Sequence, residues 1–148
     1  MPTLKNILFL SLLLWHCQSP STASRPSGLP VVTVSNTEEL LRGLGPDRVI
    51  RLKAGKYILN DFLHESRYLR RQNVFDGYEY ALVDIKNLTI EGDGKSRVEL
   101  LVRPRYANVM RFQNSSNITI RNLTAGHTEE SGSCVGGVFV FENTAGVV

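Results

Sequence analysis

The chain has 148 residues, 42% of them hydrophobic and 21% charged, with a formal net charge of +3. That composition suits one globular domain and excludes a disordered tail, and so small an excess of positive charge, without a recognisable motif, argues against a nucleic-acid binder. Two cysteines exclude a disulfide-dense scaffold and a zinc site made of Cys alone.

The first residues read as an address. Lys5 supplies a short positive region, Ile7 to Trp15 is an apolar run broken only by Ser11, and Ser21-Thr22-Ala23 offers small residues for cleavage. Residues 1–23 therefore read as a secretory signal peptide, since the run is too short to span a bilayer. Leu14-Trp15-His16-Cys17 also resembles a lipoprotein signal ending before Cys17, although Trp and His stand where small residues usually precede the cysteine. A lipid anchor at Cys17 is thus an alternative maturation, and either route delivers an extracytoplasmic protein: secreted, periplasmic or in the cell envelope. Residues 24–30 (SRPSGLP) read as a linker. After residue 23 the chain holds sixteen basic and fourteen acidic residues, one cysteine (Cys134) and no transmembrane span.

Val31 to Val34 reads as a strand. Thr37 to Arg42 reads as a short helix with Ser35, Asn36 or Thr37 as its cap and acids in its first turn, ended by Gly43 and Gly45-Pro46. Arg48 to Lys53 alternates, with Ile50 and Leu52 inward, and Ala54-Gly55-Lys56 turns into Tyr57-Ile58-Leu59. Residues 60–80, rich in arginine and aromatic side chains, show no clean period and read as an inserted loop.

The second half repeats itself. Asn87-Leu88-Thr89-Ile90 returns thirty residues later as Asn117-Ile118-Thr119-Ile120, and Val109 to Asn114 returns at a spacing of twenty-nine as Val138 to Asn143. Equivalent strands stacked in parallel would set Leu88 on Ile118, Ile90 on Ile120, Met110 on Phe139 and Phe112 on Phe141. Asn87 over Asn117 and Asn114 over Asn143 would form amide ladders at the turns. Glu91 would lie near Arg121 as an exposed outer pair. Asn87, Asn114, Asn117 and Asn122 also begin N-x-S/T sequons, but the same residues suit turns and strand starts, and the reading taken here is structural.

The segment from Val31 to Val148 resembles the start of a right-handed parallel β-helix protein of the pectate-lyase-like superfamily. The resemblance rests on T-E-E-L-L, R-V-I-R-L-K-A-G-K-Y-I-L, N-L-T-I-E-G-D-G and N-S-S-N-I-T-I-R-N-L-T. It implies an all-β solenoid of about three rungs with a short N-terminal capping helix. Family members usually have more rungs, so the expectation is a domain over 31–148 truncated at its C-terminus. Its open last rung would then pair with something else, a second copy included.

Acidic-polysaccharide lyases of this fold use Arg or Lys to take a sugar proton, and positive charge to stabilise the resulting anion. Between Lys95 and Arg111 lie Arg97, Arg103 and Arg105, with only Glu99 opposing in sequence. Arg103 and Arg105 would share one side of an extended segment. With Arg111 they are the expected contacts to substrate charge. Asp93, Glu91, Glu129 and Glu130 are too scattered for a calcium site, so no metal is expected. His127, Glu129, Glu130 and Cys134 crowd nine residues that read as a glycine-bounded loop rather than a nucleophile site. The functional expectation is a protein that binds or processes polysaccharide, with a lyase acting on acidic glycans as the enzymatic form. The alternatives are a non-catalytic adhesin-like or structural solenoid, or an inactive fragment. No catalytic residue or cofactor is assigned.

Overall fold

A computed structural model describes residues 28–148. The signal peptide expected over residues 1–23, the alternative lipid anchor at Cys17, and positions 24–27 of the expected linker lie outside the described residues. The rest is mostly β-structure arranged in largely parallel sheets, with one α-helix among the described residues. None of its helices is long and apolar enough to cross a membrane.

The chain begins with β1 (Val31–Val34), α1 (Thr37–Gly43), β2 (Arg48–Leu52) and β3 (Gly55–Ile58). A hairpin of β4 (Leu69–Val74) and β5 (Gly77–Val83) follows. Then come β6 (Lys86–Gly92), β7 (Val98–Val102), β8 (Met110–Gln113), β9 (Ser116–Arg121), β10 (Thr124–His127), β11 (Phe139–Glu142) and β12 (Ala145–Val147). They form three sheets, ordered β1-β2-β6-β9-β12, β3-β7-β10 and β4-β5-β8-β11. From β2 onward the chain visits these sheets in the same succession, and every strand pairing is parallel except β4 with β5.

The registers place like residues together. Leu88 lies opposite Ile118 and Ile90 opposite Ile120, with Ile50 opposite Ile90 on the other side. Met110 meets Phe139 and Phe112 meets Phe141, whose rings stack 5.1 Å apart at 12°. Ile50, Leu88, Ile90, Met110, Phe112 and Ile118, with Leu52, Tyr57, Leu82 and Leu100, make the core; Ile120 and Phe139 pack against it half-buried, and Phe141 on the last strand of its sheet is exposed. Period-two alternation sends their neighbours outward.

Corners between the sheets need a left-handed backbone, which Asn and Asp tolerate better than other side-chain-bearing residues. Asp47 (φ 54°), Asn87 (φ 54°) and Asn117 (φ 55°) occupy one such corner, and Asp84, Asn114 and Asn143 another. Asn117 Nδ2 donates to Asn87 Oδ1 at 2.9 Å, and Asn87 Nδ2 donates in turn to Asp47 Oδ1 at 2.6 Å. Asn143 Nδ2 donates to Asn114 Oδ1 at 3.3 Å.

Helix α1 is capped by Asn36, whose Oδ1 accepts the Glu39 N–H, while Glu39 Oε2 accepts the backbone N–H of Ser35. This reciprocal pair satisfies donors that the first turn would otherwise leave open. The helix turns Leu40 and Leu41 into the core beside β1 and β2.

Residues 60–80 correct the expectation of an inserted loop. A 3-10 turn at Leu59–Asp61 leads to the β4–β5 hairpin, with Leu69 opposite Leu82 and Val74 opposite Gly77. Leu69, Tyr80 and Leu82 are buried, so the hairpin belongs to the core. The buried Tyr80 hydroxyl accepts the His64 N–H and donates to the Phe62 carbonyl, pinning the segment before it. Burial pushes that hydroxyl's pKa up to about 12. Asp76-Gly77 is the sequence signal that marks the turn.

Candidate functional site

A surface cleft of about 360 Å³ lies over the outer face of β3, β7 and β10. Tyr57 and Leu100 point into the core from these strands, so Lys56, Ile58, Glu99 and Leu101 face the cleft. Lys56, Glu99 and Thr124 form one row across it, and Ile58, Leu101 and Gly126 the next. Gly126 keeps the floor low, with open space where a side chain would stand. Arg97 borders one end, paired with Glu99 at 2.8 Å; Arg103, Thr128, Glu129 and Glu130 border the other. The lining is polar and charged around a small aliphatic floor, and it contains no Phe, Tyr or Trp ring.

The three predicted arginines occupy three different settings. Arg103 lies on the cleft rim, in the irregular segment after β7 rather than on an extended strand. Its guanidinium donates from two nitrogens to Asp61, at 2.8 and 3.1 Å, and from the third to Glu130 Oε2 at 3.1 Å. Hydrogen bonding to Asp61 raises its pKa above the ordinary value. Arg105 is exposed, with its Nε donating to the Ser133 carbonyl at 2.7 Å, and it does not line the cleft. Arg111 stands on β8, between Glu79 and Glu142. Burial pulls its pKa down, but the two carboxylates outweigh that and leave it raised.

Glu99 is the only acid within residues 95–111, but folding brings further carboxylates to these cations. Asp61, Glu79, Glu130 and Glu142 come from distant segments that the fold brings alongside. Glu79 is buried and accepts from the Asn108 backbone N–H (2.6 Å), the Asn108 amide (2.8 Å) and Arg111 Nε (2.7 Å).

Glu91 corrects a second expectation. It is buried at 5% exposure instead of forming an exposed outer pair. Arg51 on β2 and Arg121 on β9 cover it from both sides, at 2.7 and 2.5 Å. Burial pushes the Glu91 carboxyl up, yet hydrogen bonds from the two guanidinium groups leave its pKa below the ordinary 4.5.

Gly126 and His127, read as loop, belong to β10, and His127 Nε2 lies 2.9 Å from the Ala107 carbonyl. A 3-10 turn at Glu129–Ser131 follows, and Cys134 is exposed. No three His, Cys, Asp or Glu side chains converge among the described residues.

Sequence reasoning passed over Lys56, which lines the cleft with no carboxylate at ion-pairing distance among the described residues. It also passed over Arg67, Arg70 and Arg71, exposed around β4 and likewise without an acidic partner among the described residues. Position opposite Glu99 could have marked Lys56, had the register been known. No protein-family model, curated protein or solved structure matches this chain.

Proposed function

We propose that residues 31–148 form a right-handed parallel β-helix of the pectate-lyase-like superfamily that binds polysaccharide along the cleft over β3, β7 and β10. The observation that carries this reading is the order in which the chain visits its three sheets, with parallel pairing and Asn at the corners. A coil of that kind presents flat outer sheets along which an extended polymer can lie. The step from architecture to glycan rests on the family resemblance. The leader read in residues 1–23 supports an extracytoplasmic site of action.

Binding is favoured over lysis by the state of the arginines. A lyase base must be free to take a proton, and a cation stabilising an anion must be free to approach it. Arg103 and Arg111 are already held by carboxylates. Lys56 then serves as the free cation of the floor, Arg103 as a contact to glycan hydroxyls at one rim with its charge already met by Asp61 and Glu130, Arg105 as an exposed cation on the loop beyond that rim, and Arg111 as a clamp within the sheet.

Incubation with polygalacturonate and other uronates, with and without calcium, tests both readings. The expected outcome is saturable binding with no unsaturated product by absorbance, weakened by Arg103→Ala with Arg105→Ala. Product that disappears in Lys56→Ala would replace the binding reading with a lyase. An apolar hollow of about 320 Å³ near Leu123, Phe139 and Val147 is the face through which a second copy would associate, and light scattering across a concentration series tests that.

A further inference from the structure

The tip of the β4–β5 hairpin carries Phe75, which is 88% exposed. An exposed phenylalanine is usually a floppy side chain on a mobile turn, but this one is fixed from below. The Asp76 carboxylate accepts the backbone N–H of Arg105 at 2.6 Å and of Tyr106 at 3.2 Å. Those bonds bolt the hairpin tip to the loop that starts at Arg103. Gly77 lets the loop close in: a Cβ there would stand 2.7 Å from the Pro104 ring. Beside Phe75 lies Tyr106, 40% exposed, with ring centroids 5.2 Å apart and planes tilted by 58°.

We propose that Phe75 and Tyr106 form a stacking platform for the apolar face of a pyranose ring, where the hairpin tip meets the loop that continues from Arg103 beyond the cleft. The inference rests on the glycan-binding reading and assigns it a second subsite. The cleft itself offers charge and hydrogen bonds but no Phe, Tyr or Trp surface. A pyranose presents axial C–H groups on one face and hydroxyls around its edge, so it wants a ring below and polar groups beside. Here Arg105, exposed in the same loop, supplies the polar neighbour, and Arg103 links the loop to the cleft. Because the hydrogen bonds of Asp76 already order the platform, little conformational freedom remains to be lost on binding.

Size argues against a protein partner. Two aromatic rings bury at most about 150–250 Å² each, short of the roughly 800 Å² that each side of a stable protein interface contributes. Asn73 and Arg105, which flank the pair in sequence, are exposed and polar, and Val135, whose N–H bonds to the Arg105 carbonyl at 2.8 Å, adds only one exposed aliphatic side chain beside them.

Calorimetric titration of the full chain with hexagalacturonate and with the neutral cellohexaose tests the assignment. Phe75→Ala is expected to weaken whichever sugar binds by about tenfold, Tyr106→Ala by less, and Phe75→Tyr to retain affinity. Circular dichroism should be unchanged, because Phe75 buries almost nothing. Wild-type binding with unaltered affinity in both alanine variants overturns the platform and leaves the glycan-binding reading standing. Failure of the wild type to bind either sugar overturns both. Loss of self-association in Phe75→Ala, with sugar affinity intact, assigns the rings to a second copy instead.

Discussion

In the ladder of β2, β6 and β9, each inward residue meets a counterpart from a strand far away in sequence, as Ile50 meets Ile90 and Ile90 meets Ile120. In the β4–β5 hairpin, each residue meets a near neighbour, as Val74 meets Gly77 and Leu69 meets Leu82. Both regions bury aliphatic side chains completely. The ladder, however, must repeat its chemistry, because each strand is both a neighbour above and a neighbour below. The outer strand of the hairpin, β4, ends its sheet and answers to no such constraint, while β5 joins it to β8. That difference decides what the sequence reveals and where a function can be attached.

The sharpest way to break the comparison is to remove a ladder residue. Leu88 is fully buried and is flanked by Arg48 on β2 and Ile118 on β9. Leu88→Ala is expected to cost about 2–5 kcal/mol, through lost burial plus the cavity left behind. Urea denaturation should show a lower midpoint with little change in slope. The hairpin-tip change Phe75→Ala should stay within about 0.5 kcal/mol. Equal losses at the two positions would mean that the hairpin tip is part of the core after all.

This contrast also explains how legible the chain was. The pairs Leu88 with Ile118 and Phe112 with Phe141 were readable because the sequence writes each of them twice, at nearly constant spacing. The Asn corners were readable because few other residues accept a positive φ. The hairpin is written once, so no period exposes it, and the Asp76-Gly77 turn signal was the sole local clue. The site was least legible. Arg103 is held by Asp61 and Glu130, and Arg111 by Glu79 and Glu142, partners that only folding makes neighbours. A cluster of cations in sequence became a set of neutralised pairs in space.

The ladder repeats charge as well as apolar bulk. Arg51, Glu91 and Arg121 occupy successive strands in register, with the carboxylate between two guanidinium groups. Glu91→Gln should cost about 1–3 kcal/mol at neutral pH, since it removes charged hydrogen bonds at a buried acceptor while both arginines keep partial access to water. Its folded pKa lies below the ordinary 4.5, so at acid pH the unfolded chain binds the proton more readily. The contribution is therefore complete above about pH 4.5 and is lost as pH falls through the folded value. The gap between wild type and Glu91→Gln, measured by urea midpoints across pH, should narrow in that acid window. A gap independent of pH would mean that the charge itself contributes nothing.

A smaller effect separates backbone from side chain at the corners. Asn87 has φ 54°, donates to Asp47 and accepts from Asn117. Asn87→Ala should lose both the amide bonds and the tolerance of a left-handed backbone, about 1–3 kcal/mol together. Asn87→Gly accepts the backbone freely and should lose roughly 0.5–1.5 kcal/mol, the worth of ordinary hydrogen bonds. If glycine proves as costly as alanine, the ladder of amides outweighs the conformation. Thermal melts of the two variants decide it.

The smallest effect on stability falls on the edge of the hairpin, where the consequence is of another kind. β4 and β11 are the two outer strands of their sheet, each paired on one side only. An edge strand offers unpaired backbone groups to any other chain, and positive side chains are a common guard. Arg70 and Arg71 are exposed on β4 with no ion-pair partner for either guanidinium among the described residues; Glu65 accepts the Arg71 backbone N–H at 3.1 Å, and the Arg71 guanidinium lies over the Tyr78 ring at 5.4 Å. Arg70→Val with Arg71→Val should therefore leave unfolding within about 0.5 kcal/mol of wild type, since neither side chain holds an ion pair. Light scattering should nevertheless show the variant associating at concentrations where the unaltered chain does not. If its mass stays unchanged, the two cations are not guarding the edge. A parallel variant reversing the charge, Arg70→Glu with Arg71→Glu, sharpens the point: it keeps the edge charged, so it should stay as dispersed as wild type.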